Sequence, residues 1–327
     1  MRGVWIGLLA LTIAAPAMAQ TMRIAEQLGI GYLPLFVMRD KALLEEEGKA
    51  RGLTLNAEWV QLSNGAAMND ALLSGNLDIA AGGTGPALTL WAKTRTGLKV
   101  KGVAALNAMP NWLITNNPNV HSIRDFTEQD RIALPAVKVS GQAVTLQMAA
   151  RQAFGAGHEG QLDHLTISMS HPDGLAALLS AHSPVTAHFT SPPFMYREAE
   201  APGVHVVLNS YDVLGGHHTF NMLWATSTYH DANPKPMAAF MAALERSMTI
   251  IRTHPADAAA IWLKAEKSAM SVDQAMAIIV RPDNEWTTAP RKTVVYGTFM
   301  HETGAIPVAP ARWQDLFFPE LVAADGS

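Results

Sequence analysis

The sequence predicts an α/β protein of two lobes, the second inserted into the first and joined to it by two crossing segments. Short apolar strands alternate with helices between residues 22 and 106. The alternation starts again after the turn cluster at residues 116–119. A further apolar strand, Phe220–Thr226, then leads into a mostly helical segment. We therefore expect both ends of the chain to build lobe I and the middle to build lobe II.

Lobe I is expected to span residues 20–113 and 222–327. Its first part holds strands that alternate with helices. The strands are expected at Met22–Gly31, Leu53–Leu62, Leu77–Ala81 and Val100–Leu106, and the helices at Phe36–Lys49, Gly65–Leu73 and Ala87–Lys93. Pro34 and the run Ser63-Asn64-Gly65 are typical of helix starts. Short apolar strands in this alternation favour a parallel sheet that helices cover on both faces.

Lobe II is expected to be a smaller α/β unit over residues 114–221. Its strands, with the segment that crosses into it, are expected at Trp112–Thr115, Arg131–Leu134, His164–Ser168, Thr186–Phe189 and His205–Leu208. Its helices are a short one at Ser122–Phe126 and a longer one from Ser140 to Phe154. The last third of the chain adds helices at Pro234–Arg252, Pro255–Lys264, Ser271–Ile279, Arg291–Thr303 and Ala311–Pro319. Two lobes joined in this way leave a cleft, and ligands of open α/β sheets bind near helix N-termini.

The composition excludes several classes of protein. The chain has 327 residues, of which 49% are hydrophobic and 16% charged, which argues against disorder. A net charge of −4 gives no electrostatic reason to expect nucleic acid or an anionic membrane as a partner. The absence of Cys from the sequence excludes disulfide scaffolds, thiolate zinc sites and Cys nucleophiles.

Residues 1–19 have the pattern of a secretory signal peptide. Arg2 gives a positive start, Val4–Ala15 is apolar, and Ala17-Met18-Ala19 supplies a cleavage site. The apolar run is shorter than the roughly 20 residues that cross a bilayer. We therefore expect a soluble exported protein that begins near Gln20 and resides in the periplasm.

Three passages, in this order, resemble one family. They are Ala71–Ala80 with Thr84-Gly85-Pro86, then Ser122–Phe126 with Arg131–Leu134, then Phe240–Arg246 with His254–Ala259. Together they resemble the periplasmic substrate-binding proteins of ABC importers, in the branch that serves nitrate, taurine, alkanesulfonates and thiamine precursors. The resemblance implies a type II periplasmic-binding-protein fold, a monomer that closes on one small solute and delivers it to a permease in the inner membrane. It implies no enzymatic activity and no cofactor. The turn at residues 125–130 lacks the Gly of the family pattern, which we take as a longer turn.

Two helix starts are the first candidates for binding that solute. Thr84 and Gly85 follow a strand in lobe I, and a Gly-rich turn there exposes backbone N–H groups to an anion. Ser140, Gly141 and Gln142 form the matching start in lobe II. Facing each other across a closing cleft, the two starts could hold an oxyanion without a lysine or arginine. Ordinary helix capping is the alternative for both.

Seven side chains complete the candidate site. Each follows a strand or begins a crossing segment, where ligands are usually contacted. Tyr32 offers a ring and a hydroxyl, Asn111 and Trp112 begin the first crossing, and His218 precedes the return. His188, Phe189 and Thr190 end a strand of lobe II. Core or hinge packing is the alternative for each of them.

Two other functions stay open at this stage. Nine of the 12 His lie between His121 and His218, as a metal-binding protein would need, but no pair has the helical i, i+4 spacing. Scattered surface His is therefore favoured over a metal site, and none is assigned. An exported hydrolase would need an acid–base pair in the cleft, and the chain has no G-x-S-x-G motif. A sulfonate, a nitrate-like oxyanion or a neutral heterocycle all fit the candidate residues.

Overall fold

Ten strands and thirteen α-helices follow one another along residues 19–319 and 325–327, the part of the chain that this computed structural model describes. The predicted signal peptide falls on residues 1–18, outside the described residues, and on Ala19. The strands are β1 Gln20–Glu26, β2 Leu55–Gln61, β3 Ala80–Gly83, β4 Lys101–Ala105, β5 Trp112–Thr115, β6 Ile132–Leu134, β7 Thr166–Ser168, β8 Ala187–Thr190, β9 His205–Asn209 and β10 Asn221–Ala225. The helices are α1 Leu33–Asp40, α2 Leu43–Ala50, α3 Gly65–Leu73, α4 Thr84–Lys93, α5 Gly141–Phe154, α6 His171–Leu178, α7 Phe194–Ala199, α8 Ser210–Leu214, α9 Ser227–Ala232, α10 Pro234–Thr253, α11 Pro255–Glu266, α12 Val272–Ile279 and α13 Thr293–Glu302.

The first group of strands has the order β2-β1-β3-β10-β4. β1 and β2 pair in parallel, and a parallel backbone bridge between Ile24 and Ile79 places β1 beside the start of β3. β10 lies between β3 and β4 and is antiparallel to both. The four strands of the predicted alternation, β1 to β4, are therefore parallel to one another as expected, and β10 is the reversed strand among them. β10 enters from the opposite direction because the chain returns through it from the second sheet.

The second sheet has the order β7-β6-β8-β5-β9. β6 is parallel to β7 and β8, whereas β5 is antiparallel to β8 and β9. In each group one strand is antiparallel to both of its neighbours: β10 in the first group and β5 in the second. The chain enters each of these strands from the other group. The backbone crosses between them in residues 106–111 and 215–220. Ala108 in the first crossing forms backbone bridges to Thr219 in the second and to Glu285, so three segments run side by side.

Three predicted helices differ from those observed, and the one expected at Ala311–Pro319 is a 3₁₀ turn at Trp313–Leu316. The helix expected at Phe36–Lys49 is split into α1 and α2, because Ala42 adopts φ 50° and turns the chain so that Leu43 and Leu44 are buried. The helix expected at Ser122–Phe126 is a turn. There the Asp125 carboxylate accepts hydrogen bonds from the N–H groups of His121 and Ser122, at 2.9 and 2.8 Å, and competes with helical bonding.

The apolar core continues from the first group of strands into the second sheet. One buried cluster includes Leu113 of β5, Phe189 of β8 and Trp224 of β10, each at most 1% exposed. Burying one such side chain contributes about 1.5–3 kcal/mol. α13 packs on both α4 and α5, and the hydroxyls of Tyr296 and Thr145 lie 2.8 Å apart. No helix among the described residues is long and apolar enough to cross a membrane.

Candidate functional site

Two adjoining cavities lie between the two strand groups, and we call them together the cleft. The inner cavity has a volume of about 30 Å³ and the outer one about 380 Å³. Gln27, Leu28, Pro135 and His171 line both, so the two cavities lie side by side. The inner volume holds one or two water molecules, while the outer one is in the range of small-molecule sites.

The N-termini of four helices line the cleft. They are α3 at Asn64 and Gly65, α4 at Gly83, α5 at Ser140 and Gly141, and α6 at Ser170 and His171. The Asn64 side chain accepts hydrogen bonds from the N–H groups of Ala66 and Ala67, both at 3.0 Å, and Ser140 Oγ accepts one from Ala143 at 3.2 Å. The first N–H groups of a helix have no partner within it, and its dipole adds a partial positive charge. The cleft therefore favours negative charge.

The starts of α4 and α5 touch through their backbones. A methyl group added at Gly83 would lie 3.7 Å from the backbone nitrogen of Gly141. One added at Gly85 would overlap the carbonyl oxygen of Val139 and lie 3.3 Å from the same nitrogen. Glycine at 85 is therefore needed for this approach, which brings two helix N-termini from different strand groups to one point.

Tyr32 and Asn221 form a polar wall of the inner cavity. Asn221 Nδ2 donates a hydrogen bond to the Tyr32 hydroxyl at 2.9 Å. The Asn221 Oδ1 atom is buried and has no partner among the described residues. Burial raises the pKa of Tyr32 far above its usual 10, so the hydroxyl keeps its proton. Tyr32 thus accepts from Asn221 and retains a hydrogen that it can donate to a ligand.

A hydrogen-bonded chain leads inward from the opposite wall. Gln142 Nε2 lies 3.3 Å from His171 Nε2, and His171 Nδ1 lies 3.1 Å from His188 Nε2. His188 Nδ1 then lies 2.7 Å from Glu198 Oε1, and both of these side chains are fully buried. Gly174 provides the space, because a Cβ there would overlap the His188 ring.

Burial sets the protonation of this chain. It raises the pKa of Glu198 to about 9 and lowers that of His188 to about 3. Burial, with the neighbouring His188, also lowers the pKa of His171 well below its usual 6.5. All three groups are consequently neutral at pH 7, which avoids placing charges in an apolar interior.

The cleft contains few formal charges. Among the described residues that line its cavities there is no Lys or Arg, and Asp173 is the one carboxylate. Asp173 accepts a hydrogen bond from Ser170 Oγ at 2.5 Å. The favourable terms for an anion are therefore helix dipoles, backbone N–H groups and neutral side-chain donors.

The structure brings some of the predicted binding residues together. Tyr32, Ser140, Gly141 and Gln142 all line the inner cavity. Thr84 begins α4 behind the lining, where its hydroxyl donates to the carbonyl oxygen of Thr219 at 2.8 Å. Gly85 packs against the backbone at the start of α5, as described above.

The other predicted binding residues lie off the cavity lining. His218 Nε2 and the Asn111 backbone N–H both meet Ser210 Oγ, at 2.8 Å, and tie the crossing segments together. Burial lowers the pKa of His218 to about 4. Trp112 packs edge-on against Tyr196, with ring centroids 5.3 Å apart.

The three predicted residues of β8 are fully buried. His188 stands behind His171, and Phe189 belongs to the core. Thr190 is buried, and its Oγ1 has no partner among the described residues. The wall of the cleft at this point is made by the two residues that follow, Ser191 and Pro192.

Several cleft residues are missing from the sequence prediction. Gln27, Asn64, His171 and Asn221 line the cavities without being among the predicted binding residues. Asn64 was recognised only as a helix cap. His171 begins a helix directly after a strand, as Gly141 does, and Asn221 is a carboxamide in an otherwise apolar strand. Both patterns would have pointed to the cleft.

A larger cavity of about 460 Å³ lies elsewhere, between α7 and the α11–α12 connection. Arg197, Glu200 and Arg281 line it, together with apolar residues, and none of the predicted binding residues does. Arg281 already pairs with Asp283 at 2.9 Å and lies over the Tyr196 ring.

Comparison with known proteins identifies the architecture. No protein-family model matches the chain, and no curated protein matches it in sequence. Among solved structures, the Candida albicans CA3427 gene product, described as exhibiting the generic periplasmic binding protein fold, matches with TM-score 0.69 at 15% identity over 94% of this chain and 99% of that one. The chain has the periplasmic binding protein fold.

Two further structures share this periplasmic binding protein fold. The alkanesulfonate-binding protein SsuA from Xanthomonas axonopodis pv. citri, bound to MOPS, matches with TM-score 0.70 at 18% identity, over 95% of this chain and 99% of that one. The periplasmic nitrate-binding protein NrtA from Synechocystis PCC 6803 matches with TM-score 0.72 at 14% identity, over 93% and 87%.

Proposed function

We propose that the chain is a periplasmic receptor that binds a small anionic organic solute, a sulfonate or a related oxyanion, and delivers it to an ABC importer. The observation that carries the proposal is the meeting of the α4 and α5 N-termini at the inner cavity. Helix N-termini bind anions through free N–H groups and the dipole. Solved structures with the same fold include a sulfonate-binding and a nitrate-binding protein, which supports this ligand class.

The two cavities suggest how such a solute is held. The inner cavity of about 30 Å³ has room for one or two oxygen atoms of an oxyanion, with Tyr32 and the start of α5 as donors. The outer cavity of about 380 Å³ suits an organic body, which would contact Leu28 and Pro135. An organic solute is too large for the inner cavity alone, so its carbon atoms would point outward.

Binding would be coupled to closure of two lobes. We place lobe I at residues 20–113 and 222–327 and lobe II at residues 114–221, with the crossings 106–111 and 215–220 as the hinge. Bending at the hinge would separate the starts of α4 and α5 and admit the solute. A ligand shifts such an equilibrium only by its differential affinity for the two states, so contacts from both lobes are required. The closed form would then be recognised by the permease in the inner membrane.

The remaining parts of the proposal concern the chain as it works in the cell. Residues 1–19 would act as a signal peptide and be removed on export, leaving a soluble protein that begins at Gln20. The receptor would act as a monomer, with no cofactor and no chemical change to the solute. Its partners would be the solute and the permease, and not nucleic acid.

A thermal-shift screen tests the receptor function. Protein beginning at Gln20 is unfolded and refolded to remove carried ligand, then mixed with taurine, methanesulfonate, MOPS, nitrate, sulfate, aromatic carboxylates or pyrimidines. A ligand at a hundred times its Kd adds about 2.7 kcal/mol, which raises the melting temperature visibly. We expect one anionic class to do so. A screen without any shift contradicts the receptor proposal.

Matched variants locate the site, and zinc tests the alternative. Tyr32→Phe removes one donor from the cleft and should weaken the shift. Tyr229→Phe removes a buried hydroxyl that has no partner among the described residues, and should leave the shift intact. A shift with zinc alone, reversed by EDTA, would instead favour a metal-binding function. Among the described residues, no group of three or more His, Asp or Glu is arranged to hold a metal ion.

A further inference from the structure

The chain from Gln142 through His171 and His188 to Glu198 ends on a carboxyl group that no solvent reaches. Glu198 is fully buried on α7, and its Oε1 lies 2.7 Å from His188 Nδ1. Its other oxygen, Oε2, has no partner among the described residues. His188 faces Glu198 from β8, His171 of α6 lies behind His188 with ring centroids 5.2 Å apart, and Arg197 precedes Glu198 on its own helix.

The unpartnered oxygen decides which atom of Glu198 carries the proton. The carboxyl is neutral at pH 7, because burial raises its pKa to about 9 against a smaller opposing effect of Arg197. A hydrogen on Oε2 would have no acceptor, and a buried donor without an acceptor is costly. The hydrogen therefore lies on Oε1 and is donated to His188 Nδ1.

This placement determines every other hydrogen along the chain. His188 is neutral, so accepting at Nδ1 leaves its one hydrogen on Nε2, which donates to His171 Nδ1. His171 is also neutral and therefore carries its hydrogen on Nε2, the atom at the cleft. Rotation of the Gln142 amide turns its oxygen toward that atom, so Gln142 accepts the hydrogen until a ligand oxygen takes its place.

We propose that Glu198 and His188 are positioning residues, which fix the tautomer of His171 so that the cleft presents an uncharged N–H donor to an acceptor atom of the ligand. This inference rests on the proposed function and adds to it a physical basis for ligand selectivity. Ligands with an acceptor at this position, such as a sulfonate oxygen, are bound, and ligands with a donor there are rejected. Ionisation of Glu198 would reverse the hydrogens and turn the lone pair of His171 Nε2 toward the ligand.

The first test needs no ligand. Long-range proton–nitrogen NMR correlation distinguishes the two tautomers of a histidine, and the His171→Gln variant assigns the His171 signals. We expect hydrogen on Nε2 at pH 7 and on Nδ1 at pH 10. Glu198→Gln keeps a donor beside His188 and should hold the pH 7 pattern at both values. Glu198→Leu removes that donor and should give a mixture.

A control and the opposing outcome make this test decisive. Glu200→Gln makes the same chemical change at an exposed residue two positions on, and should follow the unmodified protein at both pH values. Hydrogen on Nδ1 of His171 at pH 7, or a doubly protonated ring, overturns the inference whether or not any ligand binds.

The second test measures binding of methanesulfonate, whose charge does not change in this range, by calorimetry at pH 8 and pH 10. Reversing one hydrogen bond to a charged oxygen should weaken binding at least about tenfold. The loss should be absent in Glu198→Gln. Equal losses in both proteins would overturn the inference. No binding by either protein at pH 8 would count against the proposed function and leave the tautomer result to decide this one.

Discussion

Replacing Glu198 with Gln should stabilise the protein at neutral pH and leave its stability at acid pH unchanged. The side chain is fully buried, and burial raises its pKa from 4.5 to about 9. At pH 7 the folded protein therefore holds a proton that the unfolded chain releases. Stability from this group is complete below pH 4.5 and is lost as the pH rises toward 9.

The pKa values set the size of the effect. One pKa unit corresponds to 1.36 kcal/mol, so holding the proton at pH 7 costs the folded state at most about 3 kcal/mol. Gln has nearly the same shape, donates to His188 in the same way and carries no titrating proton. The variant should therefore unfold at higher urea concentration at pH 7. The depressed pKa of His188 affects both proteins alike and cancels in the comparison.

The assay is urea unfolding of both proteins at pH 4 and pH 7, followed by tryptophan fluorescence. We expect a gain in the free energy of unfolding at pH 7 that vanishes at pH 4. Glu200→Gln serves as the exposed control, with no gain that depends on pH. An equal difference at both pH values would refute the reasoning, because it would show that Glu198 is ionised in the folded protein at pH 7.

Three further predictions concern the helix starts of the cleft. Gly85→Ala places a methyl group against the Val139 carbonyl oxygen, so the radius of gyration measured by X-ray scattering should increase and the anion affinity should fall. Gly160→Ala, whose methyl group meets only the Asp163 side chain, should change neither quantity. Asn64→Ala removes the cap of α3 and should lower the free energy of unfolding by about 1 kcal/mol in urea, and an unchanged value would exclude the cap as a stabilising contact. Thr84→Val removes one of two donors to the Thr219 carbonyl, which keeps its contact with His218 Nδ1 at 3.2 Å, and should cost about 0.5–1.5 kcal/mol in the same assay; a loss of affinity without a loss of stability would mean that Thr84 contacts the ligand instead.

Much of the fold could be predicted from local patterns. Ser140 and Asn64 are the observed caps of α5 and α3, because short polar side chains before an apolar run satisfy the first N–H groups of a helix. The place of β10 could not be predicted in the same way. Its apolar run shows that it is a buried strand, while its direction depends on a crossing more than a hundred residues after β4.

The sequence predicted those parts of the candidate site that the backbone forms better than the parts that side chains form. Ser140 and Gly141 begin a helix after a strand, and that pattern alone places them on the cleft. His188 has the same local pattern at a strand end, but in a strand the side chains alternate between the two faces. Which face meets the cleft depends on tertiary packing, so His188 lies behind His171 and the cleft wall is made by Ser191 instead.

The scarcity of formal charge in the cleft has a consequence for the conditions under which it binds. Lysine and arginine at a binding site attract anions over a distance set by the Debye length, which is about 10 Å at 0.1 M salt and shorter above it. Helix N-termini and neutral donors act within contact distance and are enclosed by protein. The affinity of the cleft for an anion should therefore depend little on ionic strength. The protein would bind its ligand about equally well at low and at high salt concentration.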